Sequence, residues 1–205
     1  MLFVSFLIAA LVLAVTPGPG LAYVIARTVA GGRSEGVASC VGAALGGLLH
    51  VLAAALGLSL IVAQSAWAFN LLKYLGAAYL VYLGIRMLLS KEREQGVKGL
   101  TAQGARRALM EGVVVEALNV KTALFFLAFL PQFVVPAEAL VPQLVLMGCI
   151  CVGLNTSVDL LAVFVAHRLL APGAARANRA RWMNRVSGVT MLGLGTFLAL
   201  VRREA

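Results

Sequence analysis

The chain has 205 residues, of which 61% are hydrophobic and only 12% charged, and its mean hydropathy is +0.96. A soluble domain carries about 45–50% apolar and about 25% charged residues, so this composition excludes one and predicts an all-α integral membrane protein. The net charge of +9 invites a nucleic-acid reading, but the placement of the basic residues argues against nucleic acid, as shown below.

A bilayer core about 30 Å thick needs roughly 20 apolar residues per helix. Six stretches qualify: about 2–24, 37–63, 67–89, 113–135, 141–166 and 184–201. The first lacks a basic leader and an Ala-x-Ala site, so it reads as a helix and not as a cleaved signal. Inside it lies Val15–Thr16–Pro17–Gly18–Pro19–Gly20. Pro17 and Pro19 have no N–H, so the carbonyls of Leu13 and Val15 lose their helical partners. Pro17 also pushes Thr16 out of the helical region. In hydrocarbon such carbonyls are tolerated only when buried in protein or lining a polar cavity. A broken helix at membrane depth therefore points to a ligand or ion site.

Helix two, 37–63, carries Gly42, Gly46 and His50 at intervals of four, on one face. The glycines suit close helix packing. His50 is a proton-coupling or substrate-facing candidate, or a neutral histidine bonded to a neighbour. Helix three opens with Trp67, Phe69 and Tyr74, which suit an interface belt. Helix four contains Glu116, Asn119 and Lys121. Lys121 lies roughly 12 Å inside at about 1.5 Å per residue. A charge at helix centre costs about 2.5–3.5 kcal/mol on insertion scales, so it pairs, snorkels or does work. Helix five places Asn155 and Asp159 on one face, and Asp159 is both a proton-carrier candidate and a natural partner for Lys121. In helix six, Gly188, Gly193 and Gly195 are explained by close packing.

The basic residues follow the odd loops and their flanks. Arg27 and Arg33 follow helix one. Arg86, Lys91, Arg93, Lys98, Arg106 and Arg107 follow helix three. Arg168, Arg176, Arg179, Arg181 and Arg185 follow helix five. The positive-inside rule then puts these loops in the cytoplasm and both termini outside, with anionic lipid headgroups as partners. Each half, about 1–90 and 105–201, has three helices joined by a cytoplasmic loop at about 90–110. The first helix of each half is interrupted, at Thr16–Gly20 and at Asn119–Lys121. Paired interruptions predict a 3+3 inverted repeat within one transmembrane transporter domain spanning 1–205. Cys40, Cys149 and Cys151 read as small membrane-buried residues. No nucleotide loop, CxxC or HExxH is present, so no metal site, cofactor or enzymatic activity is expected.

Four ordered motifs resemble the LysE/RhtB family of bacterial amino-acid exporters over almost the whole chain. They are Val15–Gly20; Gly36–Gly42 leading to Gly46 and His50; Tyr74-Leu-Gly-Ala-Ala-Tyr-Leu-Val-Tyr-Leu-Gly84; and Asn119-Val-Lys121 followed by Ala123–Phe133. Asp159 matches an aspartate that many members carry. The resemblance implies an inner-membrane secondary exporter of amino acids or related small metabolites, driven by proton antiport. Two positions depart from the family's pattern: Val120 stands for a proline, and Glu116 for a neutral polar residue. The expected substrate-binding set is Thr16, Pro17, Gly18, Pro19, Gly20, Asn119, Lys121 and Asn155. Asp159 and His50 are expected to couple protons by alternating access. Exposed small-residue faces permit a homodimer. The alternatives are a membrane redox protein using the cysteines, a metal-cation exporter on a similar scaffold, and a passive channel.

Overall fold

Two helix breaks set the architecture. In a computed structural model, which describes residues 2–58, 66–89, 101–135, 138–169 and 174–200, the chain is helical with no strand among those residues. Helix α1, Leu2–Val15, ends where Pro17 withholds its N–H. The Thr16 hydroxyl and N–H both turn back onto the Val12 carbonyl, at 2.5 and 3.1 Å. Gly18 is extended (φ −146°, ψ −176°), and Pro19 opens α2, Pro19–Ala53, at the one helical position where a missing N–H costs nothing.

Helix α2 is two arms. Gly32, at φ 74° and ψ −169°, interrupts it, and only glycine takes that dihedral freely. Gly20 of the first arm and Gly47 of the second line the same cavity, so the arms fold back on each other. The stretches 2–24 and 37–63 leave a loop between them; instead the helix runs to the reversal at Gly32 and restarts at once. Arg27, expected as a loop cation, is 1% exposed and pairs with Glu35. A π-helical turn, Ala54–Leu58, closes the second arm.

Helix α3 is Ala66–Leu89, α4 is Ala105–Ala117 and α5 is Val120–Leu124. A π turn, Phe125–Phe129, and a 3-10 turn, Leu130–Phe133, follow α5. Helices α6, Leu140–Leu169, and α7, Ala174–Leu200, complete the chain. Pro19–Gly57 and Leu140–Ala166 are long and apolar enough to cross a membrane, and Ala105–Ala117 with Val120–Phe133 forms such a span bent by 43°.

The second break has no proline. The Asn119 side-chain oxygen caps α5 by accepting from the Lys121 N–H at 3.1 Å. Asn119 leaves the helical region (φ −74°, ψ 100°) to do so, the usual N-cap trade.

Helix α2 packs most extensively on α4 and next on α6, while α3 pairs with α7. The α2–α4 crossing is close because its contact residues are glycines. A Cβ on Gly42 would strike the Leu109 carbonyl, one on Gly46 would lie 2.6 Å from the Val113 carbonyl, and one on Gly112 would lie 2.7 Å from that of Ser39. The main core stacks Phe125 on Phe129, with centroids 5.3 Å apart, and sets Phe6 edge-on to Phe133. Outward faces are apolar, as along Leu45, Leu49, Leu52 and Leu56 of the second arm. That is the pattern of a lipid-facing surface. The expected cytoplasmic loop lies outside the described residues as far as residue 100, as do Arg202, Arg203 and the side chains of Arg168, Arg176, Arg179 and Arg181.

Candidate functional site

The two breaks meet. Lys121, just past the second break, sends its ammonium to the first, donating to the Leu13 carbonyl at 3.1 Å and the Thr16 carbonyl at 2.8 Å. The Leu13 carbonyl is the one that Pro17 deprives of its i+4 donor, leaving it only a long 3.3 Å contact from the Thr16 N–H. Gly18 makes the approach possible, since a Cβ there would sit 3.1 Å from the Lys121 Nζ.

Glu116 spans the second break. Its Oε2 accepts from the Asn119 amide at 2.9 Å and its Oε1 from the Thr122 hydroxyl at 2.6 Å. The carboxylate also rests on Gly20, where a Cβ would come within 2.5 Å of Oε2. The carbonyl of Glu116 lies 2.8 Å from the His50 Nε2. A carbonyl only accepts, so Nε2 carries the proton there. His50 thus braces the second break from behind and is not among the residues lining the cavity.

Between the breaks lies a small cavity. Helix α6 supplies the facing wall with Asn155, Thr156 and Asp159. Asn155 and Asp159 are one turn apart and so point the same way. Gly20, Asn119 and Lys121 share this cavity with them, while Thr16, Pro17, Gly18 and Pro19 form the adjoining break. Gly42 and Gly46 sit in the α2–α4 crossing beside it. Lys121 makes no ion pair with Asp159 or Glu116; its ammonium belongs to the α1 carbonyls. The cavity is thus lined by two carboxylates, two amides, two hydroxyls and the Lys121 side chain, while the Leu13 and Thr16 carbonyls lie next to it, under the Lys121 ammonium.

The sequence pattern marks Glu116 only as an acid in helix four that departs from the family's pattern and does not place it at the centre of the second break. Thr122 was passed over. The signal was present: Glu116, Asn119 and Thr122 recur every third residue, which puts them on one side of a tightened turn. The cysteines are unpaired thiols, with Cys149 exposed and Cys40 and Cys151 buried in different clusters.

Comparison with known proteins adds a family. The family model described as LysE type translocator matches residues 11–202. An uncharacterised membrane protein of Vibrio cholerae is 29% identical, covering 98% of this chain and 97% of its own. The homoserine/homoserine lactone efflux protein of Salmonella typhimurium is 27% identical over 97% of this chain and 96% of its own. The leucine efflux protein of Klebsiella pneumoniae is 27% identical over 64% of this chain and 63% of its own. No solved structure is a significant match.

Proposed function

We infer function from one premise: the chain belongs to the LysE type translocator family, and so is a membrane transporter and not an enzyme. We propose that it is a bacterial inner-membrane exporter of amino acids or related small metabolites, working by proton antiport with alternating access. The efflux names of its relatives support the cargo class. The observation that carries the reading is the cavity where the two helix breaks meet, with Lys121 seated on the Leu13 and Thr16 carbonyls.

The cargo is amphoteric, and so is the cavity. A cargo ammonium competes with Lys121 for the freed carbonyls. The displaced Lys121 ammonium, with the Asn119 and Asn155 amides, then meets the cargo carboxylate. Asp159 takes and releases the counter-transported proton from the facing wall, and His50 holds the second break in register through the Glu116 carbonyl.

Six spans with both termini outside, in two inverted halves, fit this cycle. Two features support that arrangement: the third helices of the halves, α3 and α7, pair with each other, and the first helix of each half is broken.

The test is efflux of a panel of radiolabelled amino acids from preloaded proteoliposomes, with and without an imposed proton gradient. Gradient-driven loss of one or a few amino acids is the expected result. If no amino acid moves while a control transporter works, the reading fails and metal ions are assayed next. Asp159→Asn is expected to end proton-driven efflux in a protein that still folds; undiminished efflux removes Asp159 from the mechanism.

A further inference from the structure

Beyond the cavity, toward Gly32 and Gly104, the same helices carry a second set of buried groups that cargo binding does not use. One turn past Gly20 on the first arm of α2 is Val24, and past Asp159 on α6 is Val163. Beside them on the second arm is Cys40. All three are fully buried and form a cluster of their own, an apolar septum against the end of the cavity.

Behind the septum the groups are charged. Arg27 and Glu35, side chains 2% and 4% exposed, pair at 3.4 Å across the Gly32 reversal. Glu35 folds over Gly31, where a Cβ would collide with its carboxylate. Its Oε1 accepts from the backbone N–H of Gln103 at 2.6 Å and of Gly104 at 2.7 Å. Gly104, at φ 89°, is the N-cap of α4 and has no side chain to cap with. Glu35 caps α4 from another helix. A second tie runs parallel to it. The Tyr23 hydroxyl lies 3.1 Å from both the Ala108 carbonyl and Glu111 Oε2, and Glu111 also accepts from Gln103 at 2.7 Å and Arg107 at 2.9 Å.

A buried ion pair adds little net stability over apolar residues of the same shape. Its best-attested use is to specify one arrangement over another. Residues 19–31 are a helical rod of about 20 Å at about 1.5 Å per residue. One end is broken at Thr16–Gly18 and the other at Gly32. Non-covalent ties lie at both ends: Lys121 on the Leu13 and Thr16 carbonyls at the first break, and at the other end Arg27 on Glu35, which itself caps α4, with Tyr23 on α4 directly.

We propose that Glu35 is the latch of a gate: by joining Arg27 of the hinged arm 19–31 to the start of α4, it holds that arm in place, closes the cavity on the Gly32 side, and releases the arm in each transport cycle. The use of the gate rests on the exporter reading; its existence does not.

Cys40, inside the septum, reports on it. In a Cys149→Ser, Cys151→Ser background, the rate of maleimide labelling at Cys40 in purified protein measures how often the septum opens. Glu35→Gln keeps the shape and removes the charge, and is expected to raise that rate about tenfold or more, the effect of losing one charge-assisted hydrogen bond. Tyr23→Phe, which removes only the second tie, moves the rate the same way by less and carries the test if Glu35→Gln does not fold. Melting temperature checks folding in each case. Separately, Tyr23→Cys with Glu111→Cys, in a background lacking the native cysteines, is bridged by a reducible bifunctional methanethiosulfonate. Efflux is expected to stop on bridging and resume on reduction, which a merely structural contact would not produce. Unchanged Cys40 labelling in the folded variants, or undiminished efflux by the bridged protein, overturns the latch. If the unmodified protein exports no amino acid, the exporter reading fails while the labelling rates still decide the gate.

Discussion

Gly20→Ala tests the meeting of the two breaks with a single methyl group. Gly20 lies in the first turn of α2 with ordinary helical geometry, so alanine there is intrinsically better by about 1 kcal/mol. Sequence propensity alone therefore predicts stabilisation. The contact predicts the reverse. The new Cβ would sit 2.5 Å from Glu116 Oε2, so the carboxylate must retreat by most of an ångström. It cannot do so and keep both the Asn119 bond at 2.9 Å and the Thr122 bond at 2.6 Å. Losing one hydrogen bond to a charged acceptor costs about 1.5–3 kcal/mol. Set against the propensity gain, the net is a loss of about 0.5–2 kcal/mol. Gly153→Ala in α6 is the control: a Cβ there meets nothing within 4 Å, so it should stabilise by up to about 1 kcal/mol. The assay is chemical or thermal unfolding in detergent, repeated in a Glu116→Ala background, where the Gly20→Ala penalty should vanish. A Gly20→Ala protein as stable as Gly153→Ala, or a penalty that survives the loss of Glu116, refutes the contact.

Pro17→Ala restores an N–H beneath the Leu13 carbonyl that Lys121 now uses. Efflux should fall while melting temperature holds or rises; undiminished efflux would detach the break from function. Lys121→Met leaves the Thr16 carbonyl without its ammonium donor and the Leu13 carbonyl with only the long bond from the Thr16 N–H, and removes the cation proposed to meet the cargo carboxylate. It should cost about 1–3 kcal/mol of stability and abolish efflux, read by unfolding and proteoliposome counterflow. His50→Leu removes the side-chain donor to the Glu116 carbonyl, which keeps the Asn119 N–H, and should destabilise by about 1 kcal/mol; His50→Gln, able to donate, should recover part of it. Replacing all three cysteines by serine should leave efflux intact, and its loss would favour the thiol reading.

The first break was legible residue by residue, because proline removes a specific donor and the carbonyl it abandons can be named in advance. Lys121 was legible as a charge that needs a partner. Its partner was not, because the Leu13 carbonyl is more than a hundred residues away and only the folding of both breaks onto one cavity joins them. Asp159 was the natural guess on charge alone, and backbone carbonyls freed by Pro17 took the ammonium instead. The second break was harder to read. Nothing between Ala117 and Leu124 forbids a helix, and Asn119 breaks it by capping. Arg27 was read as loop charge because Gly32 reverses the chain within one residue, leaving a helix where a loop between the first two stretches was expected. The close α2–α4 crossing shows in the spacing of Gly42 and Gly46, but that Leu109 and Val113 meet them required the fold.

The two breaks are made by different means, and this has a mechanical consequence. At Thr16–Gly18 the chain lacks donors at positions 17 and 19, so no rearrangement of side chains can make that helix continuous. At Leu118–Asn119 every residue keeps its N–H, and the interruption is held by the Asn119 cap and the two donors on Glu116. The first discontinuity is permanent; the second can anneal. If Glu116 lets go, the 43° bend between α4 and α5 can straighten into one rod, carrying Lys121 with it away from the α1 carbonyls. The two breaks are therefore unequal in compliance, with one joint set by covalent structure and the other spring-loaded by three hydrogen bonds.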